Sequence, residues 1–190
     1  MKNTSTVQEL SKILRQSETF SSLWLKPRFF SNGKILTDVG DVSHNLYLIE
    51  KGVMRAYYER KQSDITAWMV SDGNIACIAD SFLMRSPSSV GLETLEDTWA
   101  YPVSYEQYCS IREHDSMTAS LVISLFENYL VLSQKRIELL RYNSVEERIA
   151  KYLQHSASLF RRIPDRYIAT FLGTTESTFC KCLKRILREH

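Results

Sequence analysis

The chain has 190 residues, enough for one large domain or two modest ones, and its 44% hydrophobic content is sufficient for a real core. A formal net charge of +2 is too small to argue for any partner, so the distribution of charge matters more than its sum. From Asn143 onward nine Lys/Arg stand against five acids, which leaves that tail at +4 and the rest of the chain at −2; this suits a polyanion held by one part of the protein.

The opening MKNTSTVQEL has no apolar stretch of signal-peptide type. No run approaches the ~18 apolar residues of a membrane span, so the expectation is a cytoplasmic protein with no membrane partner. A short amphipathic helix is predicted from Val7 to Leu14, with Leu10, Ile13 and Leu14 as its apolar side. After Lys26-Pro27 the period changes to two. Ile35-Leu36 leads to a turn at Val39-Gly40-Asp41, and LYLIEKGVMRAYY alternates apolar and polar residues about a turn at Lys51-Gly52. Thr66–Val70, Val90–Thr94 and Thr98–Val103 read as further strands. Short strands with turn signals every eight to twelve residues predict an antiparallel sandwich or jelly roll.

Near Ser104 the pattern turns helical, and it stays so from Ser116 to about Arg141. Leu125, Leu132 and Leu139 recur at intervals of seven there, flanked by Leu121, Val122 and Tyr129. This stripe is expected to pair with its copy in a homodimer; the competing reading is a core helix lying on the β-domain. Ser144-x-x-Glu147 is a capping box that opens the next helix, with Val145, Ile149, Tyr152 and Leu153 on its apolar side. The hinge between modules is expected near residues 141–144.

The segment IPDRYIATFLGTTESTFCKCLKRIL, from Ile163 to Leu187, reads as two helices joined by a tight turn. Pro164 suits a first helical turn. Gly173 suits the left-handed position that ends the first helix, and Thr174 or Thr175 can cap the second. Phe179, Leu183 and Ile186 then face inward, while Ser177, Lys181, Lys184 and Arg188 form a polar and basic stripe on the other side. An apolar inside and a cationic outside fit a helix-turn-helix placed in the DNA major groove. An ordinary helical hairpin with a solvated basic face is the bland alternative. Cys77, Cys109, Cys180 and Cys182 make no metal-ligating spacing with histidine and are expected to be reduced thiols.

Taken in order, GKILTDVGDVSHNLYLIEKGVMRAYY, SVEERIAKYL and IPDRYIATFLGTTESTFCKCLKRI resemble the Crp/Fnr family of bacterial transcription regulators over roughly residues 20 to 187. The resemblance implies an α+β protein: a double-stranded β-helix (jelly roll) sensor domain over 1–115, a long dimerisation helix over 116–142 and a helix-turn-helix DNA-binding domain over 143–190. It implies a homodimer on two-fold symmetric double-stranded DNA, and it admits RNA polymerase as a further partner. Carried over residue by residue, Glu176, Ser177 and Lys181 stand at base-reading positions. Thr175 and Thr178 are placed for phosphates, Lys184, Arg185 and Arg188 supply electrostatic attraction, and Arg166 reaches the backbone from the first helix.

Cyclic-nucleotide-binding members of that family hold the ribose with a Gly-Glu pair and the phosphate with an Arg-Ser or Arg-Ala pair about ten residues later. Counted without gaps from Gly73, Cys77-Ile78 and Ser88-Ser89 stand at those places. Ile78 replaces the acid and Ser88 the guanidinium, and a buried phosphate without a charge partner is costly. Cyclic AMP is therefore not an expected ligand, and Arg85, three residues off, would substitute only in a rebuilt loop. The family's iron–sulfur sensors need clustered N-terminal cysteines, and none precedes Cys77. His44, His114 and His155 read as surface or turn histidines rather than haem ligands.

An enzyme on a cupin-like β-roll would need several His and Glu ligands on adjacent strands, whereas the strand region holds only His44. With no nucleophile elbow and no phosphate-cradling glycine loop, catalysis is not expected. The remaining rival is a ligand-sensing module whose C-terminal helices contact protein rather than DNA.

Overall fold

The computed structural model describes residues 26–61 and 63–188, and the helix predicted over 7–14 lies outside them. The strands are β1 (Arg28–Phe30), β2 (Ile35–Thr37), β3 (Asn45–Lys51), β4 (Val53–Tyr58), β5 (Ile65–Ser71), β6 (Ile75–Ala76), β7 (Gly91–Thr94) and β8 (Thr98–Ser104). They form two antiparallel sheets, ordered β1-β8-β3-β6 and β2-β7-β4-β5. The helices are α1 (Ala79–Met84), α2 (Tyr105–His114), α3 (Ser116–Tyr142), α4 (Val145–Phe160), α5 (Asp165–Phe171) and α6 (Glu176–Ile186).

The alternation read in β3 and β4 is realised, but both faces of these strands are covered. Tyr47, Ile49, Met54, Ala56, Ile78, Leu92 and Ala100 fill the space between the sheets. On the outer side of the first sheet, Leu46, Leu48 and Val103 pack against Phe82 of α1, Ile111 of α2, and Val122 and Leu125 of α3. Val53 on the outer side of the second sheet, together with Leu95, joins a cluster with Ile149, Ile163, Ile168, Leu172 and Phe179. The two-sheet domain is thus flanked by α2 and α3 on one side and by α4–α6 on the other.

Local chemistry explains the helix starts. Ser104 and Gln107 form a capping box at α2, Asp115 accepts the Thr118 N–H at 3.0 Å to open α3, and Ser144 and Glu147 form the expected box at α4. Gly52 turns β3 into β4 at φ +132°, where an added Cβ would overlap the Thr98 side chain, so only glycine fits.

The second attachment of α4–α6 to the β-domain is polar. Arg162, just past α4, forks between Asp72 and Glu96, with Nη2 3.1 Å from Asp72 Oδ1 and Nε 3.3 Å from Glu96 Oε2. Burial raises the Asp72 carboxyl, but the hydrogen bonds from Arg162 and the Gly52 N–H outweigh it and hold the group below its ordinary value. The Asp72 contribution is therefore complete above the ordinary aspartate pKa and is lost only as the pH falls through the depressed one. Arg55 of β4 is 2% exposed; it bonds Glu93, Asp64 and Thr66, and its guanidinium lies 3.8 Å from the ring centre of Tyr167 in α5. Thr170 Oγ1 of α5 bonds Thr66 Oγ1 at 2.9 Å. Arg136 of α3 donates to Ala67 O, Thr66 O and Phe171 O, tying three elements together.

By length and mean hydropathy α3 is long and apolar enough to cross a membrane, although it holds no unbroken apolar run of that length. Its apolar residues go all round the helix: some arcs meet different neighbours within the chain and others stay exposed. Val122 and Leu125 pack on the β-domain, Tyr129 meets Trp68 edge-on at 6.3 Å, and Leu139 joins the α4–α6 core.

Candidate nucleic-acid interface

Two short helices meet at Gly173, whose φ of +70° is the left-handed conformation that ends α5. Pro164 sits one residue earlier than expected, at the extended position (ψ 137°) before α5, and Asp165 opens the helix. Thr175, not Thr174, caps α6: its Oγ1 accepts the Thr178 N–H at 3.2 Å and donates to the Thr178 hydroxyl at 2.9 Å. Arg148 of α4 donates to Leu172 O at 2.9 Å, which fixes the turn from behind. Ile168, Ala169, Leu172 and Phe179 are fully buried at the crossing of the two helices.

Burial of Phe179 decides which side of α6 faces outward. Ser177, Lys181 and Lys184 are exposed along one stripe of α6, Arg188 is exposed in the turn just past its end, and Glu176 is exposed at its N-terminal end. Positive backbone charge at that end, the exposed hydroxyls and the two lysines give a surface suited to phosphate and base edges. Arg185 is exposed beside this stripe and also pairs with Glu146 of α4. Arg166 is exposed on α5, lies over the Tyr167 ring at 4.6 Å and donates to its hydroxyl at 3.0 Å. The Thr175 and Thr178 hydroxyls bond each other, so each offers only its remaining capacity to a phosphate.

On α3 the expected stripe is divided. Val122 and Leu125 are buried against the β-domain, Leu121 and Tyr129 are half-buried, Leu139 lies in the α4–α6 core, and Leu132 alone of the six is exposed. A different row stays open: Ile123, Leu130 and Ile137, at 55%, 59% and 56% exposure.

No protein-family model matches the chain, and no curated protein matches it in sequence. Solved structures match it along most of its length. A CooA mutant from Carboxydothermus hydrogenoformans aligns with a TM-score of 0.75 at 18% identity, covering 95% of this chain and 84% of that one. FixK2 from Bradyrhizobium japonicum aligns at 0.72 and 15%, covering 87% and 85%. A Crp/Fnr-family transcriptional regulator from Thermus thermophilus aligns at 0.68 and 16%, covering 86% and 87%. The chain has the Crp/Fnr fold.

Within this Crp/Fnr fold the residues expected at an effector pocket do not converge. Ile78 is 2% exposed in the inter-sheet core, and burial pushes the Cys77 thiol up to about 12, leaving an inert neutral group. Ser88 is buried and donates to Val90 O at 2.7 Å, while Ser89 is exposed. Arg85 adopts φ +53° at the end of α1, donates to Ser43 O at 2.8 Å and contacts His44 Nδ1 at 3.3 Å. It faces a separate hollow of about 530 Å³ shared with Thr37, Asp41, His44 and Asn45. All four cysteines are free thiols. What sequence reasoning missed is the set Arg55, Thr66, Arg136, Arg162, Tyr167 and Thr170. Strand alternation marks Arg55 and Thr66 only as facing away from Met54 and Ala56, a position that ordinarily means solvent.

Proposed function

We propose that the protein is a sequence-specific DNA-binding transcriptional regulator acting as a homodimer in the cytoplasm. In this reading the two-sheet domain is a jelly-roll sensor module, α3 the dimerisation helix, and residues 143–190 a helix-turn-helix domain with α6 in the major groove. The observation that carries it is the exposed Ser177–Lys181–Lys184–Arg188 stripe, held outward by buried Phe179 on a Crp/Fnr fold. The dimer seam is built on Ile123, Leu130 and Ile137, with Ser133 and Leu140 beside them and with Ala119 and Phe126, which also pack against the β-domain, at its edge. Its 4-3 spacing is that of a two-stranded coiled coil, and its exposed members, Ile123, Leu130 and Ile137, share one heptad position. Half-sites then lie about one DNA turn apart. RNA polymerase is a further partner if the bound site adjoins a promoter.

Lys181 and Lys184 separate base reading from general attraction. Lys181→Ala is expected to relax preference at one base position, costing roughly 1–3 kcal/mol at the cognate base. Lys184→Ala is expected to weaken all sequences alike and flatten the salt dependence by about one counterion. A selection from random DNA, followed by salt titration of each variant, reads both. Identical behaviour of the two variants contradicts the assignment, and a protein-docking module in place of a DNA-binding one would enrich no motif.

The effector reading follows from the core. With Ile78 buried among Tyr47, Met54 and Leu92, and Ser88 closed on Val90, no guanidinium or carboxylate from these positions is available to a cyclic phosphate or ribose. Isothermal titration with cyclic AMP is expected to show no binding at micromolar concentration; a micromolar dissociation constant would refute this.

A further inference from the structure

We propose that the polar docking of α4–α6 onto the second sheet sets the spacing between the two half-sites, with Arg162, Arg55 and Arg136 as positioning residues. This rests on the reading of the chain as a DNA-binding dimer. Only Asn143 and Ser144 join α3 to α4, and α4 is kinked at Ser156, so the covalent connection alone leaves a swivel. The 16 residues of α4 span about 24 Å. A swing of about 10° at Ser144 therefore moves its far end by roughly 4 Å, more than the ~3.4 Å rise of one base pair.

Arg162 stands at that far end. Its fork to Asp72 and Glu96, on the β5–β6 and β7–β8 turns, anchors α4 where the lever is longest. Arg55 stacked on Tyr167, the Thr66–Thr170 bond and Arg136 bonded to the Phe171 carbonyl hold α5 along its length. Arg136 belongs to α3, the helix that carries the seam, so the recognition helix is indexed to the two-fold axis by side chains as well as by the chain itself. None of these residues belongs to the exposed stripe of α6, so loosening them leaves the reading of each half-site intact while changing the distance between the two.

The test is a selection in which two fixed half-sites are separated by a library of spacers. Asp72→Asn with Glu96→Gln removes both charges from the Arg162 fork at constant size. The expected result is an unchanged half-site motif with a spacing preference, best spacer over neighbours one base pair away, reduced at least fivefold. A second variant, Thr66→Cys with Thr170→Cys, replaces oxygens 2.9 Å apart and is closed by oxidation. The closed form is expected to keep the affinity and sharp spacing of the parent protein, oxidised in parallel as a control for the native thiols. Unaltered spacing in the first variant overturns the proposal. So does loss of binding in the closed form that returns on reduction, which would make the docked arrangement a resting state. If the first variant does not fold, the closed form decides alone. Failure of the parent protein to enrich any half-site instead sinks the DNA-binding reading on which this rests.

Discussion

Replacing Leu130 and Ile137 together by glutamate is expected to leave the protein folded but monomeric, and to lower its affinity for a two-fold symmetric site by about 10²–10⁴-fold. Folding should survive because both side chains are already more than half exposed, so neither contributes much to the monomer core. Association should not. In a two-stranded seam these positions meet their own copies, and glutamate there sets like charges against each other in place of apolar contact. Loss of the dimer halves the number of recognition helices on each DNA, and what disappears is the effective concentration that links the second binding event to the first. Leu132→Glu is the control. Nine residues from Ile123 is about 180° around a helix, so Leu132 faces away from the proposed seam although it is exposed too. Sedimentation velocity and gel shift on one full site check the set. Dissociation by Leu132→Glu rather than by the double variant would restore the Leu125–Leu132–Leu139 stripe as the interface.

That contrast shows what the sequence could and could not specify. Capping chemistry is local, so Ser144-x-x-Glu147, Thr175 and Gly173 announced their structures through atoms a few residues apart. Strand alternation likewise placed Met54 and Ala56 inside. Very short elements escaped: β1 has three residues, β6 two and α1 six, too few for a period to emerge. On α3 the difficulty was different. A 27-residue helix touching the β-domain on one arc and the C-terminal helices on another carries several apolar rows. The row of leucines is the most conspicuous, yet two of its three members are spent on contacts within the chain. The outward lysines of α6 were legible because Phe179, Leu183 and Ile186 fix the opposite side. The arginines that hold the modules together were not, because a cation on the polar side of a strand looks the same whether water or another domain covers it.

Arg55→Met is expected to destabilise the protein by about 3–5 kcal/mol, the cost typical of removing one member of a buried ion pair. The guanidinium is 2% exposed and is shared among Glu93, Asp64, Thr66 and the rings of Tyr57 and Tyr167. Methionine fills much of the volume but supplies no donor, so most of the loss comes from the Glu93 carboxylate, left 14% exposed without its partner. Asp64, at 35% exposed, can turn to water and should matter less. The double variant Arg55→Met/Glu93→Gln is therefore expected to recover at least half of the loss, since no charge then stays uncompensated. Urea unfolding of the three proteins measures this directly. A loss below about 1 kcal/mol for the single variant would mean that Glu93 finds another partner or reaches solvent. A double variant as unstable as the single one would move the weight from the ion pair to the Tyr167 stack. That second result is informative about function too, because Tyr167 belongs to α5 and its stack on Arg55 crosses from the β-domain to the C-terminal helices. Stability lost there should loosen the C-terminal helices before the β-domain, and hydrogen exchange would then show α5 and α6 opening ahead of β3 and β8.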